Sequence, residues 1–132
     1  MSRSVEVWRA LNAIESRSFQ YGSTDCCQFA REIVQQITGR EIEAPTYGSE
    51  SEADDIVEGF GGYQKMISAL LDQEPSPIDS LETGDPVLLE VGGQPIVGVM
   101  FANGVALKTQ QRITSVSAKH VRAGWHIEAK NG

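Results

Sequence analysis

Apolar positions recur at helical spacing through the first half of the chain and in short, nearly continuous runs through the second. Val5, Val7, Trp8, Leu11 and Ile14 form one stripe, which predicts a helix over residues 5–16. Phe19-Gln20-Tyr21-Gly22 reads as a connector. Phe29, Ile33, Val34 and Ile37 predict a second helix over about 25–38, stopped by Gly39. Pro45 and Gly48 mark residues 40–50 as a loop. Ser49 or Ser51 is placed to cap a short helix through Ala53, Ile56 and Val57 that ends near Gly59. Gly61-Gly62 breaks the chain, and Met66, Ile67, Leu70 and Leu71 predict another helix over 63–71.

After Gln73 the pattern changes. Pro75, Pro77, Gly84 and Pro86 punctuate a loop. Strand-like runs follow at 87–91, 95–102, 104–109, 113–118 and 125–129, with Gly92-Gly93 and Asn103-Gly104 where hairpin turns belong. Helices first and a meandering sheet second is an α+β layout. The expectation is one domain over 1–132, a helical part at 1–73 and a sheet part at 74–132, without repeats or low-complexity segments.

Charge narrows the partners. The net charge of −7 argues against generic nucleic-acid binding, which needs a basic footprint. Residues 41–58 hold seven acids and no Lys or Arg, whereas residues 105–132 hold five bases against Glu128 alone. Two solvated faces are the commoner meaning of such a split; ordered stacking against neighbouring subunits is the functional one. No apolar run reaches the length of a membrane span. Residues 1–6 lead into a helix without a signal-peptide core, so folding in a cytoplasm is expected.

The candidate chemistry centres on Ser23-Thr24-Asp25-Cys26-Cys27. Three good N-cap residues precede a thiol in a first helical turn. There, unpaired N–H groups and the helix dipole favour thiolate. Adjacent cysteines on a helix form no unstrained disulfide. With only His120 and His126 elsewhere, they also make a poor zinc site. Cys27, about 100° further round the helix, suits a small core position.

The order of these parts resembles the NlpC-like branch of the papain-fold cysteine peptidases, which cut peptidoglycan stem peptides. Asp25-Cys26 matches that family's Asp-Cys motif. Gly84-Asp85 matches its Gly-Asp motif, and Ile96-Val97-Gly98-Val99-Met100 followed by Asn103-Gly104 matches its His-Val-Gly-Ile-Tyr strand and turn. Trp8, Phe19-x-x-Gly22-x-x-Asp25-Cys26, Tyr47-Gly48-Ser49, Gly61-Gly62 and Trp125 are similar to small phage- and prophage-encoded NlpC-like tail proteins.

The resemblance implies a papain-like fold, with N-terminal helices packed on an antiparallel sheet of about five strands. It implies a tail-tip or tail-assembly component, made in the host cytoplasm and built into a virion. The partners would be hub, distal-tail or tape-measure proteins. No cofactor or metal is implied.

The resemblance also implies where the catalytic residues would stand, and there the chain departs from it. Cys26 keeps the nucleophile's place. The family's base falls on Ile96 and its orienting residue on Lys108. Isoleucine accepts no proton, and a lysine cation has no acceptor for an imidazole. The expected function is therefore structural, with a degenerate peptidase site. The enzymatic alternative is a peptidoglycan-cleaving peptidase in which His126 or His120 supplies the base from a late strand or loop. A non-cleaving module that holds a murein peptide is a third reading. Asp85 is expected to take backbone N–H groups at the turn before its strand, Gly98 to admit the helix bearing Cys26, and Trp8 and Trp125 to act as core anchors or interface residues.

Overall fold

The computed structural model describes residues 3–15, 26–43, 47–102, 104–108 and 113–128. Four helices come first, α1 (Arg3–Glu15), α2 (Cys26–Thr38), α3 (Glu50–Phe60) and α4 (Tyr63–Leu71). The strands follow, β1 (Pro86–Val91), β2 (Gln94–Phe101), β3 (Gly104–Lys108), β4 (Ile113–Ser117) and β5 (Val121–Gly124), with 3-10 turns at Ile78–Ser80 and Ala118–His120. The sheet order is β4-β3-β2-β1-β5, antiparallel throughout. The α+β layout with a five-stranded antiparallel sheet is thus present.

Local signals set most boundaries. Gly39 takes a left-handed φ of 71°, and its N–H donates to Gln35 O at 2.9 Å, ending α2. Ser49 caps α3, its Oγ accepting the Glu52 N–H at 3.2 Å. Gly92 and Gly93 both have positive φ between the paired Val91 and Gln94, the geometry of a tight two-residue hairpin. The connector at 19–22, the cap residues Ser23 to Asp25 and Asn103 lie outside the described residues.

The main core lies between the helices and one face of the sheet. Val7 and Leu11 of α1, Phe29, Ile33 and Ile37 of α2, and Ile67 and Leu71 of α4 meet Val97, Val99, Ala106, Ala123 and Trp125. The stripe on α1 is narrower than its pattern predicts. Val7 and Leu11 are buried, whereas Val5 and Trp8 form an exposed pair one turn apart, Trp8 at 57%.

A second cluster occupies the other face, where Val87, Leu89, Val105, Leu107 and Val121 pack with Leu81, Ile96, Met100 and Val116. Both edge strands contribute to it, through Val116 and Val121.

The last strand falls earlier than expected, at Val121–Gly124 rather than 125–129. Leu88 pairs with Ala123 but Leu89 with Val121, which leaves Arg122 as an extra residue in a bulge. The bulge reverses the alternation, sending Val121 to the second cluster and Ala123 and Trp125 to the main core. Beyond Trp125, whose N–H still donates to Pro86 O of β1, side chains take over from a strand partner. Ser76 Oγ accepts the His126 N–H, Asp85 Oδ1 accepts the Ile127 N–H, and Gln73 Nε2 donates to His126 O.

Gly98 also differs from expectation. A Cβ there would meet Leu107 Cδ2 at 2.6 Å, Ala106 O at 2.7 Å and Val105 Cγ1 at 2.8 Å. The close approach is made by β3, and not by α2.

Candidate functional site

Cys26 opens α2, which puts its backbone in the first turn, as its sequence context predicts. The side chains of Cys26 and Cys27 lie outside what the structure describes.

The two positions matched to the family's base and orienting residue do not share a face. Ile96 packs in the second cluster. Lys108 stands two residues beyond Ala106, a main-core residue, and so shares the α2 side with it, where it is 4% exposed. The register explains the separation. Val99 pairs with Ala106 and Phe101 with Gly104, so odd positions on β2 share a face with even positions on β3.

His126 is the imidazole with the most defined surroundings. Its Nδ1 lies 3.0 Å from Asp85 Oδ2 and 3.7 Å from Glu82 Oε2, and its Nε2 lies 3.3 Å from Glu128 Oε1. Asp85 is fully buried and the His126 side chain 25% exposed, whereas Glu82 and Glu128 reach into solvent. Such exposed pairs contribute little, so Asp85 dominates. The Asp85 hydrogen bond raises the His126 pKa above its ordinary 6.5, against a lowering by burial, with smaller upward pulls from the charges of Asp85, Glu128 and Glu82. Carboxylates facing both ring nitrogens favour imidazolium, a poor form for accepting a thiol proton.

A folded pKa above the unfolded one gives stability that is fully present below pH 6.5 and lost as pH rises through the folded value. Urea midpoints measured at about pH 6 and about pH 8.5 should fall for the wild type across this interval. His126→Gln should flatten that fall. Parallel profiles for the two proteins would remove His126 as its source.

His120 sits elsewhere. It ends the 3-10 turn before β5, half-buried, whereas His126 lies just past the other end of that strand. The contacts that fix His126 come from Gln73, Ser76 and Asp85. Among the described residues no group of three or more His, Cys, Asp or Glu is arranged to hold a metal ion.

Several neighbours were not legible in the sequence. Glu82 and Glu128 flank His126 from segments 46 residues apart, as Gly84-Asp85 folds back onto the final turn. The one local hint is Glu128, two positions beyond His126 and therefore on the same side of an extended chain. Arg31 gave no signal at all. Its Nε donates to Ile42 O and its Nη1 to Gln28 Oε1, both at 2.7 Å.

These features define a class: a small α+β domain in which a helix opening on a cysteine crosses an antiparallel sheet, with a carboxylate-held imidazole at the sheet's end. The chain belongs to the family described as "Domain of unknown function (DUF6950)", which matches residues 4–127. No curated protein matches it. No described helix is long and apolar enough to cross a membrane.

Proposed function

We propose that this protein is a structural component of a phage-like tail, at the tail tip or in tail assembly. In this reading it is built on an NlpC-like, papain-type scaffold whose hydrolytic site is not assembled. The observation that carries the loss of hydrolysis is the placement of Ile96 and Lys108 on opposite faces of the sheet. A base must reach the thiol, and the residue that orients it must reach the base, which positions on opposite faces of a sheet cannot do. The raised pKa of His126, set mainly by its hydrogen bond to Asp85, gives further support, because it favours imidazolium, which accepts no proton. The tail role, the hub, distal-tail or tape-measure partners and the virion location rest on the order of sequence motifs from Trp8 to Trp125.

One observation favours the enzymatic alternative, a peptidoglycan-cleaving cysteine peptidase. The Cys26 backbone sits in the first turn of a 13-residue helix, a setting that lowers thiol pKa values. Purified murein incubated with wild type and with Cys26→Ala separates the two readings. Unchanged turbidity with both proteins is expected. Clearing by the wild type alone would establish the peptidase. Complementation of particles lacking the protein tests the tail role, since Cys26→Ala should restore infectivity in full if the role is structural. Particles that assemble and infect normally without the protein would refute it.

A further inference from the structure

An apolar cavity of about 80 Å³ lies between α2, α3 and α4. Val34, Ile42, Ile56, Met66, Leu70 and Val97 are among the side chains that line it. It is roughly half the size of a cavity known to hold benzene, which suits a small branched aliphatic group rather than a long chain. Its roof is α3, which has no fully buried residue and covers the space with the half-buried Ala53, Ile56 and Val57. An element held so lightly can lift to admit a ligand.

Arg31 is among the residues that line this apolar space, and its guanidinium is held at the edge by two of the others, Gln28 and Ile42. Arg31 is half-buried, and its two hydrogen bonds go to neutral acceptors, the Ile42 carbonyl and the Gln28 amide oxygen. Among the described residues no carboxylate pairs with it. These bonds fix the planar group in place and leave donors on Nη2 and Nη1 uncommitted, since guanidinium has five N–H groups. A held guanidinium beside an apolar pocket recognises an anion of matching geometry, a carboxylate above all. The acids of α3 are solvent-exposed and are screened beyond about 8–10 Å at moderate ionic strength.

We propose that this pocket binds a small branched aliphatic carboxylate, with the alkyl group under α3 and the carboxylate on Arg31. Two sources share that chemistry, a free short-chain acid and the C-terminal aliphatic residue of a peptide. The site is independent of whether Cys26 is catalytic.

Amide-resolved NMR titrations with 4-methylpentanoate and N-acetyl-leucine, each beside its neutral carboxamide, test the proposal. The acids should shift resonances from α3 and from residues 28–34, with the amides about tenfold weaker or worse, as a lost charge-assisted pair implies. Tighter binding of N-acetyl-leucine would identify a peptide terminus as the source, and tighter binding of 4-methylpentanoate a free acid. Arg31→Gln should erase the preference for acid over amide. Ala53→Leu, which fills the space from the roof without touching the Arg31 bonds, should weaken both ligands and so carries the test if Arg31→Gln fails to fold. Equal binding of acid and amide, or no shifts at tens of millimolar, would overturn the proposal and leave Arg31 as a tie between α2 and Ile42.

Discussion

Asp85→Ala should destabilise the fold by about 2–4 kcal/mol, because it strips several donors of a buried acceptor at about 1–3 kcal/mol each. Asp85 is fully buried and ties the turn at Glu82 to the 126–127 segment. Its Oδ2 accepts the Glu82 N–H at 2.7 Å and faces His126 Nδ1 at 3.0 Å, and its Oδ1 accepts the Ile127 N–H at 3.0 Å. Alanine would take the carboxylate away from the buried Ile127 N–H and from the partly buried Glu82 N–H and His126 ring. It would also unseat the final turn, whose backbone after Trp125 is held by the side chains of Gln73, Ser76 and Asp85. Asp85→Asn is the informative companion, because it keeps the shape while turning one accepting oxygen into a donor. Its cost should fall between wild type and alanine. Urea unfolding at neutral pH measures both. A loss below about 1 kcal/mol for alanine would mean that the 125–128 segment is held by something other than this carboxylate.

The same residue shows how far the sequence could be read. A Gly-Asp before a strand already implies a carboxylate that takes backbone N–H groups, and Glu82 N is where that local rule leads. The other recipients, His126 and Ile127, lie 41 and 42 residues on, and no local pattern names them. The helices were legible because period and caps agreed, as at Gly39 and Ser49. The last strand was not, because a bulge at Arg122 has no compositional mark. Val121, Ala123, Trp125 and Ile127 look like one alternating face, yet the structure divides them between two clusters.

Positions 96 and 108 carry the same lesson for the site. Both are even, and spacing alone invites the view that they converge. The facing of two antiparallel strands depends instead on register, and here the two-residue connection between Phe101 and Gly104 sets it. The hairpin thus decides which residues face one another, while the chemistry is decided by the residues themselves, since isoleucine accepts no proton and a lysine cation offers no acceptor on either face.

Trp125→Ala should cost about 3–5 kcal/mol, the usual range for emptying a large aromatic site. Trp125 is the largest fully buried side chain described in the protein. Its indole Nε1 donates to Ser68 Oγ on α4 at 3.0 Å, while its backbone N–H donates to Pro86 O at 3.0 Å. It therefore pins the last helix to the start of β1, and it directly precedes His126, whose placement depends on the same turn. Trp125→Phe separates packing from hydrogen bonding, since it retains most of the apolar ring but strands Ser68, and about 1–2 kcal/mol is expected. Combining it with Ser68→Ala should recover part of that loss, a coupling a double-mutant cycle reads directly. The measurement has a built-in probe. Trp8 is 57% exposed and Trp125 is fully buried, so a Trp8→Phe background leaves Trp125 as the sole indole. Its emission should be blue-shifted in the native protein and move red in a single cooperative step. If that emission is already solvent-like under native conditions, the anchor between α4 and β1 is not formed, and the placement of His126 against Asp85 loses its support.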